Sequence, residues 1–171
     1  MVNMKLPILT TICIASALGL SACGDSSAPS STSGTNTTTK SASSNEVRKV
    51  SITGNDQLQY NLKEIKAKAG EKLQIELKNI GKMPKQTMAH NWVLLKQMDD
   101  SEVNAFGMAA ATKPPEYLPD DTSAVLYHTR MLGPNESDII TITVPKEVGK
   151  YPFLCTFPGH SVMMKGHLIV E

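Results

Sequence analysis

Three kinds of soft or borderline metal donor fall in one short stretch near the C-terminal end of the chain, Cys155-Thr156-Phe157-Pro158-Gly159-His160-Ser161-Val162-Met163-Met164. Four residues separate Cys155 from His160, and three separate His160 from Met164. That spacing lets one loop between two strands place three donors around a single ion. A regular strand, whose side chains alternate between two faces, could not. The remaining donor must come from a neighbouring strand, and His90, just before the apolar run Trp92-Val93-Leu94-Leu95, stands where such a strand would begin. One thiolate, two imidazoles and a distant thioether are the ligand set of a blue-copper electron-transfer centre. Each residue type alone has a plainer explanation: a histidine beside a strand is usually structural, a single buried cysteine is inert, and paired methionines fill gaps in cores. The combination at this spacing outweighs them.

The elements that must carry these donors read as strands. Residues 47–171 suit one all-β domain. Val50 and Ile52 lead to a turn at Gly54-Asn55-Asp56; Leu73, Ile75 and Leu77 alternate strictly and stop at Asn79-Ile80-Gly81. Val125 to Thr129, Ile140-Ile142-Val144, Tyr151-Phe153 and Leu168-Val170 repeat the pattern between turn signals, which predicts a β-sandwich. One stretch departs from it: residues 99–111, ahead of Pro114-Pro115, read as a short helix between strands.

Residues 1–22 have the charged start, apolar run and small-residue end of a bacterial secretory signal. Leu20-Ser21-Ala22-Cys23 resembles a lipobox, which predicts cleavage before Cys23, a diacylglyceryl group on its thiol and acylation of the new amino terminus. Several acyl chains anchor far better than one, because each buried CH₂ adds about 0.8 kcal/mol. Residues 23–46, rich in Ser and Thr, hold almost no large hydrophobe and are expected to act as a flexible linker. Cys13 would leave with the signal and Cys23 would carry lipid, so Cys155 is the one thiol of the mature chain, with no disulfide partner. An outer-membrane lipoprotein, facing the periplasm or the surface, is the expected location. With 17 Lys+Arg against 16 Asp+Glu, the net charge of +1 offers no basic face for nucleic acid.

Met88-Ala89-His90-Asn91-Trp92-Val93-Leu94 and the run Tyr151-Pro152-Phe153-Leu154-Cys155 through Lys165-Gly166 resemble the two copper-site motifs of the azurins, within the cupredoxins. Gly54-Asn55-Asp56-Gln57, Tyr117-Leu118-Pro119-Asp120-Asp121 and His128-Thr129 extend the resemblance over nearly all of residues 47–171. With its lipobox and spacer, the chain is similar to the lipid-modified azurins of Gram-negative bacteria. The resemblance implies a cupredoxin-like Greek-key β-sandwich with one type 1 copper, cycling between Cu(II) and Cu(I). It implies His90, Cys155 and His160 as equatorial ligands, Met164 rather than Met163 as axial ligand, and the Ala89 carbonyl as a weak contact on the opposite side. Asn91 would brace the Cys-bearing loop. His160 would present a ring edge to solvent inside an apolar docking patch drawn from Met83, Met88, Met108, Phe157, Pro158, Val162 and Met163.

The implied role is a monomeric electron carrier, not an enzyme, making transient complexes with c-type cytochromes, a nitrite reductase or a peroxidase. Copper storage, delivery or oxidant defence is the alternative, since thiolates and thioethers also hold Cu(I). Two departures from the azurin pattern stand out. Azurins usually have glycine where this chain has Ala89, and a Cβ there restricts the backbone. They usually also have a disulfide from the first strand to the third, and no cysteine lies between Arg48 and Lys72. Trp92 is expected in the core, and His128 and His167 in structural or surface roles.

Overall fold

The structure, a computed structural model, describes residues 47–171. The signal segment 1–22, Cys23 and the linker 23–46 lie outside the described residues. Among the described residues, nine strands form two sheets. The first, in the order β2-β1-β4-β7, joins β1 (Arg48–Asn55), β2 (Gln59–Tyr60), β4 (Lys72–Asn79) and β7 (Ser137–Thr143). The second, in the order β3-β9-β8-β5-β6, joins β3 (Glu64–Ala67), β5 (Val93–Leu95), β6 (Val125–His128), β8 (Gly149–Leu154) and β9 (Lys165–Val170).

Period-two alternation builds the first sheet. Parallel pairing sets Val50 beside Ile75 and Ile52 beside Leu77, and β7 closes the other flank antiparallel with Ile142 opposite Leu73. All six of these side chains turn inward and are buried. They meet Trp92, Leu94, Phe153 and Leu168 of the second sheet in one core. A fully buried side chain of this size contributes about 1.5–3 kcal/mol relative to exposure.

The run Trp92 to Leu95 is apolar throughout because both of its faces are covered. Leu94 joins the core between the sheets, while Val93, Leu95 and Leu154 form a second cluster with Val103, under the helix α2 (Asp100–Ala110). This helix starts at a capping box: Glu102 N–H donates to Asp99 Oδ1 at 2.9 Å and Asp99 N–H to Glu102 Oε2 at 2.9 Å. Such caps stabilise a helix start by about 1 kcal/mol.

The structure adds elements that the hydrophobic pattern leaves out. The one-turn helix α1 (Lys85–Met88) precedes Ala89, β2 is two residues long, and a 3-10 turn spans His160–Val162. β3 is an edge strand whose Ile65 and Ala67 are framed by Glu64 and Lys66, the charged composition that protects an open sheet edge. Gly54 and Asn55 belong to β1 and not to the turn that follows.

The start of β1 is tied by charge. Arg48 Nε donates to Glu71 Oε1 at 2.6 Å and Arg48 Nη2 to the Lys66 carbonyl at 2.7 Å, while Lys68 N–H donates to Glu71 Oε2 at 2.8 Å. One guanidinium therefore joins β1, the end of β3 and the turn into β4.

Candidate metal centre

Strand register brings the donors to one end of the second sheet. β5 pairs with β8 so that Val93 faces Leu154, and β8 pairs with β9 so that Leu154 faces Lys165. Continuing both registers one or two residues past the strand ends sets Asn91 opposite Thr156 and Cys155 opposite Met164. The hydrogen bonds follow that extension. Asn91 Nδ2 donates to Thr156 Oγ1 at 2.7 Å, Thr156 N–H donates to Asn91 Oδ1 at 2.9 Å, and Cys155 N–H donates to the Met164 carbonyl at 2.9 Å. His90 is fixed by a two-way backbone bridge to Leu132, at 3.0 and 2.8 Å. Gly159, with φ of 81°, turns the chain into the 3-10 turn that carries His160. Met164 N–H then donates to the His160 carbonyl at 2.8 Å.

His90, Cys155 and His160 converge, their nearest ligand atoms all within 4.8 Å of one another. Cys155 Sγ lies 3.9 Å from His90 Nδ1, 3.6 Å from His160 Nδ1 and 3.9 Å from the Ala89 carbonyl oxygen. Metal–thiolate and metal–imidazole bonds of about 2.3 and 2.0 Å, at the angles of a trigonal or tetrahedral ion, hold sulfur and nitrogen about 3.6 Å apart. The observed spacing fits one such ion. Met164 is fully buried beside the set: a Cβ on Gly54 would stand 2.8 Å from the Met164 Cε and 3.0 Å from His90 Cδ2. The glycine at the end of β1 is therefore where the His90 ring and the Met164 methyl find room.

Burial sets the charge state of the pocket. It pushes the Cys155 thiol up to about 12, although the backbone amides of Asn91 and Phe157 pull the other way. It lowers His160 to about 4, with the neighbouring His90 adding to the effect. His90 is also lowered by burial, partly offset by the Asn55 backbone and Asp56. By bonding geometry, however, His90 Nε2 has no hydrogen-bond partner. A neutral thiol and two neutral imidazoles aimed at one point suit a cation that displaces the thiol proton.

The two faces around this set differ. Met108, Val162 and Met163 are 73%, 70% and 55% exposed, Met83 and Pro158 are exposed, and Met88 is half-buried. Phe157, expected in that exposed set, is buried. Its ring packs 4.8 Å from His160 and 5.2 Å from Tyr117, in the bend that follows the Thr156–Asn91 pair. His160, expected to show a ring edge, keeps only 3% of its surface exposed under this packing. Trp92 is buried against Phe153, at 5.6 Å between rings. His128 is exposed and His167 half-exposed, both outside the cluster.

A match to the family model for copper binding proteins, plastocyanin/azurin family, covers residues 46–171. The chain belongs to that family. The azurin of Pseudomonas aeruginosa is 42% identical over 125 residues, covering 71% of this chain and 84% of that protein. The azurin of Bordetella pertussis is 42% identical over 122 residues, covering 70% and 81%. Among solved structures, auracyanin A, a "blue" copper protein of Chloroflexus aurantiacus, superposes with a TM-score of 0.67 at 29% identity, over 74% of this chain and all of that one. The azurin Az-iso2 of Methylomonas sp. strain J gives 0.63 at 25% identity, over 72% and 98%. The fold is that of a cupredoxin, and the buried His–Cys–His set with family membership gives a single type 1 copper site.

Two supporting residues escape a reading by motif. Tyr60 donates its hydroxyl to the Asn91 carbonyl from β2, bracing the residue that follows His90. Asn79, which looks like a turn residue, is buried. Its Nδ2 donates to the Leu132 carbonyl at 3.2 Å and its Oδ1 accepts from Gly81 N–H at 2.8 Å. Parity was the available signal for Asn79: it shares the inward face with Leu73, Ile75 and Leu77.

Proposed function

We propose that this chain is an exported, lipid-anchored carrier of single electrons, with His90, Cys155 and His160 as equatorial copper ligands, Met164 as axial ligand and the Ala89 carbonyl as a weak contact opposite. The observation that carries the reading is the complete burial of this donor set inside a hydrogen-bonded β framework. Copper supplies the chemistry, a one-electron change between Cu(II) and Cu(I). The protein's part is to hold the donors still. The Asn91–Thr156 pair, the Cys155–Met164 backbone bond and the His90–Leu132 bridge resist movement, so that little rearrangement accompanies a change of charge. Phe157 and the core exclude water from the thiol.

Electrons enter and leave through the face bearing Met83, Met88, Met108, Pro158, Val162 and Met163. Exposed apolar patches commonly mark interaction sites, and a small one suits brief encounters. Redox partners of the c-type cytochrome, nitrite reductase or peroxidase kind fit this role. A thioether-linked diacylglyceryl group and an amide-linked acyl chain on Cys23, followed by the linker 23–46, would hold the domain at the outer membrane while leaving it free to meet partners. No helix among the described residues is long and apolar enough to cross a membrane.

The full chain, purified in detergent and loaded with Cu(II), is expected to show an intense visible thiolate-to-copper band that Cys155→Ser abolishes. A colourless protein that still binds copper would overturn the carrier reading and favour storage or delivery. For the anchor, Cys23→Ser is expected to move the protein from the membrane to the soluble fraction and to abolish metabolic labelling with palmitate. Unchanged fractionation would remove the lipid from the account.

A further inference from the structure

Helix α2 contributes no donor atom, yet two of its contacts fall on the ligand loop. A Cβ on Gly107 would stand 2.6 Å from both Cβ and Oγ of Ser161, closer than real side chains approach one another. The helix backbone therefore lies directly against the residue that follows His160. One turn earlier, Asn104 Oδ1 accepts from Lys165 Nζ at 3.3 Å, and Lys165 is the residue that follows Met164. Residues 104 and 107, three apart, share one face of the helix. The segment from His160 to Met164 is thus touched by α2 just inside one end and just beyond the other. A third contact reaches its middle, where Lys63 Nζ donates to the Met163 carbonyl at 2.9 Å.

We propose that Gly107 is a positioning residue for the copper site: the absence of its side chain sets how deeply Ser161 seats against α2, and through Ser161 the placement of the His160 imidazole beside Cys155. This inference rests on His160 being a ligand. The Asn104–Lys165 contact is exposed and exchangeable with water, so it adds alignment and little energy. Gly107 is different, since no rotamer change relieves contact with the helix backbone itself. Glycine in a helix interior is otherwise unfavourable, and alanine is the better helix former. A helix that served only as packing would tolerate or gain from Gly107→Ala. A helix that seats the loop would not.

The test uses the full chain as wild type, Gly107→Ala, Ser161→Gly and the double variant Gly107→Ala with Ser161→Gly, the change at Ser161 removing the atoms that the new Cβ would strike. In the metal-free proteins, amide ¹H–¹⁵N shifts of residues 160–163 are expected to move from wild type to Gly107→Ala, and to agree between Ser161→Gly and the double variant. In the copper-loaded proteins, the thiolate-to-copper band and the copper hyperfine splitting are expected to differ between wild type and Gly107→Ala and to agree between Ser161→Gly and the double variant. Wild-type loop shifts in Gly107→Ala would overturn the proposal, and so would a double variant whose loop shifts differ from those of Ser161→Gly alone. Should Gly107→Ala fail to fold, a folded double variant with the loop shifts of Ser161→Gly supports the contact, and an unfolded one overturns it. A wild-type protein without the visible band would defeat the carrier reading, while the metal-free loop shifts would still judge the role of Gly107.

Discussion

Asn91 does two things that no other side chain near the site can replace. Its amide both donates to and accepts from Thr156, so the strand that begins at His90 and the strand that ends at Cys155 are locked side by side. Asn91→Ala leaves the buried Thr156 amide and hydroxyl without partners, a cost of about 1–3 kcal/mol. The expected outcome is a lower urea midpoint, with a broadened or shifted thiolate-to-copper band, because the loop bearing Cys155 gains freedom. An unchanged midpoint would mean that water replaces the amide and that the pair does not brace the loop. Ala89 is a quieter residue. Its φ of −85° and ψ of 158° are ordinary extended backbone, so the Cβ that departs from the azurin pattern sits without strain.

Two kinds of linkage between elements hold the frame. Ladder register in β5, β8 and β9 delivers the donors, and the Arg48–Glu71 pair ties the otherwise peripheral start of β1 to the β3–β4 turn. The Arg48 guanidinium holds the Glu71 carboxyl below the usual carboxylate range. A carboxyl lowered on folding stabilises the native state above its unfolded pKa, about 4.3, and that contribution is lost as pH falls through the folded value. The two side chains are 44% and 22% exposed, so screening limits the effect to about 1 kcal/mol. Glu71→Gln is therefore expected to lower the urea midpoint at pH 7 and to match wild type in acid below the folded pKa. A difference that persists there would assign the effect to packing and not to charge.

For the molecule as a whole, the buried donor set lies beneath a surface whose exposed residues include Met108, Val162 and Met163. If partners dock there, Val162→Asp combined with Met108→Lys is expected to slow electron exchange with a cytochrome by about tenfold or more, the equivalent of about 1.4 kcal/mol in the encounter. The visible band should stay unchanged, because neither side chain is buried at the site. Equal rates for variant and wild type would place the docking surface elsewhere. The burial of Phe157 matters at this scale too: the patch is left to flexible methionines, one proline and one valine, while the aromatic ring packs against His160.

What the residues alone determined was local. Spacing within 155–164 names three donors in one loop, and strict alternation in β4 names an inward face, because both depend only on neighbours a few residues away. Composition marks β3 poorly, since an edge strand between lysines carries its signal in what it pairs with, not in its own pattern. Past the end of β8 the alternation no longer says which way Phe157 turns; packing against Tyr117 and His160 does. His90 was named by its place before a strand, and the register of β5 on β8 is what carries it to Cys155, 65 residues away; the room left by Gly54 and the seat left by Gly107 were decided only by the tertiary structure. Such a glycine is defined by atoms of other strands and loops occupying the space a side chain would need, and that space exists only once the chain has folded.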